Sequence, residues 1–286
     1  MTAPSDLKAL VRASGHVAAE APWRALPGGR TNRVWLIGDG AAAIVCKVYA
    51  RRDDNPLYPN LAADEFAALT ALKGSGLAPE PVARLHGAGM EVVLYTHIAG
   101  RAWSGDPAPV ARLLGRVHAM PPGAQLRLLP SGDTALRAQV QRIIATCRDG
   151  GRLPPDVPSE PVAPAPRPAL IHTDVVAGNI IVNGADLALI DWQCPALGDP
   201  AEDLASFLSP AMQVLYGNAP LDPGGTDRFL AAYPDPAITA RYRRLAPLFH
   251  WRIAAYCQWK AERGAADYAP ARDLELAALQ AALSEA

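Results

Sequence analysis

A chain of 286 residues, half of them apolar, is long enough to bury a sizeable core as one large domain or as two lobes. Its formal net charge of −1, with Lys and Arg spread along the chain, gives no electrostatic footprint for nucleic acid or an anionic membrane, and no apolar run approaches spanning length. Met1 to Ala13 is polar and charged with no signal-peptide core, and Cys46, Cys147, Cys194 and Cys257 lie far apart without metal-ligand spacing, so reduced, partly buried thiols in a cytoplasmic protein are expected.

In chain order, residues 5–20 carry a weak apolar stripe at Leu7, Leu10 and Val11 that predicts a short helix. From Ala25 to Ile37 two strands flank Gly28-Gly29, with Thr31 and Asn32 just after the glycines. A glycine pair lets backbone N–H groups approach phosphate oxygens, although two glycines alone are more often a plain hairpin turn. Asp39-Gly40 reads as a further turn, and Ala43 to Tyr49 as a strand with Lys47 among apolar neighbours. Such a lysine is either an edge-strand gatekeeper or a phosphate ligand. Asn60 to Lys73 predicts a helix with Leu61, Phe66, Leu69 and Leu72 on one face, a stop at Gly74, and Asp64 and Glu65 as its acids. Val82 to Leu85 and Val92 to Tyr95 predict strands, the second leading into Thr96-His97-Ile98-Ala99-Gly100.

Ala108 to Met120 and Thr134 to Arg148 predict helices, and the prolines between Pro154 and Pro168 predict an extended connector. Then comes Leu170-Ile171-His172-Thr173-Asp174, with Asn179 five residues on, and two apolar runs joined at Asn183-Gly184 that read as a hairpin ending in Asp191-Trp192. Single Asp and Asn residues at strand ends are commonly turn formers. The set points to phosphoryl transfer, which needs one carboxylate beside the attacking hydroxyl and separate oxygen ligands for Mg²⁺. Asp174 can accept the hydroxyl proton, while Asn179 and Asp191 offer a neutral and an anionic oxygen. Asp199-Pro200 reads as a helix start, with Asp203 in its first turn. From Arg241 to Arg263 a helical run carries Tyr242, Phe249, Trp251, Tyr256 and Trp259. An aromatic stripe is usually core, but ring faces also bind cationic head groups.

The set His172-x-Asp174-x-x-x-x-Asn179 followed by Asp191 resembles the catalytic and metal-binding segment of the kinase-like small-molecule phosphotransferases, which include aminoglycoside phosphotransferases and choline, ethanolamine, thiamine and homoserine kinases. The likeness covers most of residues 25–260 and is concentrated at 170–205 and 25–73. Thr173 is a departure, standing where many relatives carry Gly or Arg. The resemblance implies a two-lobed α+β protein-kinase-like fold. Residues 1–98 would form a small antiparallel-sheet lobe that binds nucleotide, and residues 99–286 a larger, mainly helical lobe that carries catalysis and the acceptor. It assigns Gly28, Gly29, Thr31 and Asn32 to a phosphate loop like that of choline kinases, Lys47 to the α/β-phosphates with Glu65 as its partner, and Thr96 and Ile98 to the adenine hinge. Asp174 becomes the base, and Asn179 and Asp191 the Mg²⁺ ligands. Asp199 and Asp203 brace the loop, and the short run from Asp191 to the next helix leaves no room for a peptide platform.

The expected function is therefore ATP- and Mg²⁺-dependent phosphorylation of a hydroxyl on a small molecule, with no nucleic acid, membrane or obligate protein partner. The reading nearest the motifs is a choline or ethanolamine kinase, with Trp251, Tyr256 and Trp259 against a cationic amino alcohol. The alternatives are an aminoglycoside, thiamine or sugar kinase, and a nucleotide-binding module without turnover.

Overall fold

Alternation of side chains across one central strand governs how the first part of the molecule is built. The computed structural model describes residues 3–26, 31–50, 55–121 and 126–284. The chain divides into two compact units: residues up to Arg101 together with Ile181–Pro195 build the first, and Ala102–Pro121, Arg127–Ile180 and the chain from Ala196 onward build the second.

The first unit opens with α1 (Ser5–Ala13), which Ser14 and Gly15 (φ +74°) close well before residue 20. Five strands follow: β1 (Trp23–Ala25), β2 (Arg33–Ile37), β3 (Ile44–Val48), β4 (Pro81–Gly87) and β5 (Met90–Thr96), with α2 (Ala62–Ala71) between β3 and β4. They form an antiparallel sheet in the order β1-β2-β3-β5-β4. Cys46 and Val48 of β3 turn to one face and join Trp35, Ile37, Val92 and Leu94 in a buried core that Leu7 and Val11 of α1 complete. Val45, Lys47 and Tyr49 must then face the other way. On that side α2 packs against β4 and β5. Because β3 is paired on both sides, Lys47 is no edge gatekeeper.

A two-residue strand, β6 (Arg101–Ala102), precedes α3 (Ala108–His118) and α4 (Asp133–Ala145). Next come β7 (Ala169–Ile171), β8 (Ile180–Asn183), β9 (Asp186–Leu189) and β10 (Ala196–Gly198). The expected turn between β8 and β9 uses Gly184 at φ +61°, a conformation that costs glycine little. In the second unit β7 pairs antiparallel with β10, Ile171 opposite Ala196. The segment 154–168 has no regular structure, as its prolines require. It is fastened by Arg137 to Asp156 and Ser159, by Arg244 to Glu160 and the Pro161 carbonyl, and by burial of Val157 and Val162.

The remaining helices are α5 (Ala201–Leu208), α6 (Pro210–Leu215), α7 (Pro223–Ala232), α8 (Pro236–Ala261) and α9 (Tyr268–Ser284). Helix α8 starts five residues before the expected Arg241, because Asp235 accepts from Ala237 N at 2.9 Å and Pro236 fits the first turn. Helices α4, α5 and α9 all pack on it. Among the described residues no helix is long and apolar enough to cross a membrane. The four cysteines are free, with Cys46, Cys194 and Cys257 buried.

Glu275 of α9 is fully buried, and one of its oxygens accepts from Ser209 Oγ and Ala211 N while the other lies 2.7 Å from His250 Nδ1. Glu275→Leu would leave three polar groups without this acceptor. The expected loss is about 3 kcal/mol of stability, read as a fall in the urea midpoint at unchanged slope. An unchanged midpoint would show that the three groups find other partners.

Candidate active site

In the first unit the site begins with a buried ammonium. Lys47 is carried by the central strand and Glu65 by the first turns of α2, and both side chains are inaccessible to solvent. Lys47 Nζ donates to Glu65 Oε2 at 2.7 Å and to Asp191 Oδ1, so one cation serves two carboxylates. Burial alone would lower the Lys47 pKa, but Asp191 and then Glu65 outweigh it and hold the ammonium above its usual value. Burial likewise pushes the Glu65 carboxyl up to about 6, against the pull of Lys47. Asp64, the other acid in the first turn, does not make this contact. Asp191 sits at φ +63°, a strained conformation for a residue with a Cβ, and its carboxylate keeps about a third of its exposure.

Thr31 is exposed and Asn32 buried, and Gly28 and Gly29 lie outside the described residues. The Asn32 carboxamide is bonded to Asn60, Gln193 and the Ala50 N–H, so its polar capacity is spent inside the protein. Thr96 closes β5, its hydroxyl accepting from Glu80 N at 2.9 Å, and Ile98 follows half-buried. His97 N donates to the Ala43 carbonyl at 3.0 Å, which holds this segment to the start of β3.

In the second unit the site is a loop leaving β7. His172 N and Thr173 N donate to the two oxygens of Asp203 at 2.8 and 2.7 Å. The third bond to Asp203 comes from His118 Nε2 at 3.0 Å, whose Nδ1 takes the Tyr233 hydroxyl at 2.8 Å. Thr173 has φ +67°, a left-handed conformation that a β-branched residue rarely adopts. Asn179 Nδ2 donates to the Asp174 carbonyl at 3.0 Å and lies 3.4 Å from its carboxylate. A carbonyl can only accept, so the Asn179 nitrogen faces Asp174 and its oxygen is the atom left to offer. Asn179 and Asp191 each by itself offers a hard oxygen of the kind Mg²⁺ takes, an amide oxygen at Asn179 in the second unit and a carboxylate at Asp191 in the first. Asp199 accepts from Ala201 N at 3.1 Å, as a helix start should, and pairs with Arg241 Nε at 2.5 Å.

Trp251, Tyr256 and Trp259 are all buried. Trp251 is fully buried, and its indole N–H donates to the Pro154 carbonyl at 3.0 Å. Tyr256 stacks on Trp259 at 6.0 Å between centroids, and the Arg263 guanidinium lies 4.2 Å from the Trp259 ring. The protein's own cation already occupies the ring on which an acceptor's head group was expected. The sequence does not mark out Asn60, Gln193 or His118 as parts of these bonded sets. The only hint was their nearness to Glu65, Asp191 and the helix before the loop.

The model of the phosphotransferase enzyme family matches residues 22–248. A search of curated proteins finds no match. Among solved structures, a choline/ethanolamine kinase family protein from Mesorhizobium loti is 18% identical over 97% of this chain and 92% of its own, with TM-score 0.62. Choline kinase from Cryptosporidium parvum is 11% identical over 97% and 95%, with TM-score 0.65. Spectinomycin phosphotransferase in complex with ADP and spectinomycin is 14% identical over 99% and 98%, with TM-score 0.57. These likenesses establish a kinase-like α+β fold.

Asp203→Ala would leave two loop N–H groups and His118 without their common acceptor. A loss of about 3 kcal/mol or more is expected, measured by chemical denaturation, since each buried donor left unpaired costs roughly 1–3 kcal/mol. A variant as stable as the parent would show that the loop does not depend on this carboxylate.

Proposed function

This chain belongs to the phosphotransferase enzyme family, and from that premise we propose that it transfers the terminal phosphoryl group of ATP to a hydroxyl of a small molecule. The observation that carries the reading is Lys47, a buried ammonium held by Glu65 and Asp191. A lysine fixed in this way serves the nucleotide phosphates, and Glu65 keeps it in place. The glycine pair with Thr31 would line the phosphates, and backbone groups around Thr96 and Ile98 would hold adenine. Residues 1–98 then act mainly on nucleotide and residues 99–286 on catalysis and acceptor. The ADP in the spectinomycin phosphotransferase structure supports a nucleotide role for this fold.

Asp174 is the base. It orients the acceptor hydroxyl and takes its proton as the oxygen bonds to the γ-phosphorus and the bond to the β-phosphate oxygen breaks. Asn179 and Asp191 would hold Mg²⁺, which supplies neutralisation of charge on the phosphates. Asp203 keeps the loop in place through its bonds to His172 and Thr173. Burial of Trp251 and the Arg263 contact with Trp259 argue against the aromatic cage. A sugar or aminoglycoside acceptor therefore moves ahead of a quaternary amino alcohol.

ADP release should be measured over amino alcohols, thiamine, sugars and aminoglycosides. It is expected to need both an acceptor and a divalent cation. Nucleotide binding with no ADP release on any acceptor would favour a module without turnover. Asp174→Asn should lower kcat by about 10²–10⁴-fold and leave ADP affinity almost unchanged. Retention of half the activity would remove Asp174 from the base role. Asp191→Ala should weaken Mg-nucleotide binding as well as turnover, and an unaltered metal dependence would place the metal ligands elsewhere.

A further inference from the structure

The Asn32 carboxamide is buried, and all four of its hydrogen-bonding positions are used. Its oxygen accepts from Ala50 N at 3.0 Å and from Asn60 Nδ2 at 2.8 Å. Its nitrogen donates to Asn60 Oδ1 and to Gln193 Oε1, both at 2.8 Å. Asn60 and Gln193 are buried as well. One fixed donor sets the sense of the whole arrangement. A backbone N–H can only donate, so Ala50 determines which end of Asn32 is oxygen. That end determines which way the Asn60 amide turns and which Gln193 atom faces inward.

The partners come from four places that matter to the site. Asn32 itself immediately precedes β2, just beyond the glycine pair, and Ala50 is three residues past Lys47. Asn60 is five residues before Glu65, and Gln193 two residues past Asp191. A second bond reinforces the link, since Leu61 N, at the entry to α2, donates to the Gln193 carbonyl at 3.3 Å. The same three segments carry Lys47 and its two carboxylates. Apolar packing would hold these segments together without fixing their register. Paired carboxamides are directional and accept one arrangement.

We propose that Asn32 is a positioning residue that, through Asn60, Gln193 and the Ala50 N–H, fixes Lys47, Glu65 and Asp191 relative to one another. The role assigned to it by resemblance, contact with the nucleotide phosphates, is replaced by one exerted through other residues. The inference rests on the phosphotransferase reading of those three side chains. It also implies that the α2 entry and the Asp191 segment loosen together when the network is broken.

The experiment compares wild type, Asn32→Ala, Gln193→Met and the double variant at a temperature where each is folded. Kd for ADP is measured by titration, and hydrogen exchange is followed without ligand. Gln193→Met leaves the Asn32–Asn60 pair intact and serves if Asn32→Ala does not fold. Each single variant should raise Kd by roughly 5- to 50-fold, and the double variant should be no worse than Asn32→Ala, as for residues of one network. Peptides covering 60–66 and 189–195 should lose protection together, while 81–96 keeps it. Lower thermal stability with Kd within about twofold of wild type, and faster exchange confined to 31–33, would overturn the positioning role and leave Asn32 a local brace. Failure of wild type to bind ADP would overturn the phosphotransferase reading and this inference with it, whereas normal wild-type binding with unaltered variants would overturn the inference alone.

Discussion

The first unit depends on keeping one positive charge out of water. A lysine ammonium taken into the interior is tolerated only with carboxylates at hydrogen-bond distance, because desolvation otherwise drives it neutral. Glu65 and Asp191 supply them. Each needs a different part of the chain in position: α2 must pack across the sheet, and the segment after β9 must return to the same face. The contact cannot form until strands, helix and hairpin are all assembled. Three groups carrying one positive and two negative charges leave one net negative charge at this cluster.

The second unit uses the same logic around a negative charge. Asp203 is buried without a lysine or arginine on its carboxylate among the hydrogen bonds described, and it is satisfied by two backbone N–H groups and His118. Backbone donors stabilise a carboxylate strongly in a low-dielectric setting. They also fix the conformation of the loop that donates them, including the left-handed Thr173. Strain at Thr173 is thus balanced by bonds the strained backbone makes, and Asp174 follows from a rigid base.

Much of this was legible in the sequence, for identifiable reasons. The strand bearing Lys47, the helix bearing Glu65 and the hairpin before Asp191 have strong local signals: apolar runs, a glycine stop at Gly74 and an Asn-Gly turn. Spacing along the chain then determines which polar groups stand at strand ends. Local pattern does not encode what lies across a gap. An aromatic stripe looks the same in a core and in a cage, and α8 is buried on most of its surface, so periodicity could not separate Trp251 from a ligand contact. The earlier start of α8 has its own local signal in Asp235-Pro236, an N-cap followed by proline in the first turn.

Asn32 shows the limit more sharply. Its residue type suits a phosphate loop, and nothing near it in sequence announces Asn60 or Gln193, which lie 28 and 161 positions away. Carboxamides are read locally as turn formers, yet here they act as tertiary connectors. The difference follows from burial: an exposed amide is satisfied by water and constrains nothing, whereas a buried one must find donors and acceptors in the protein. Once buried, every bond it makes ties its segment to another. The same residue type therefore marks a loop in sequence and a joint in the fold, and here the joint lies beside the three charges on which the first unit depends.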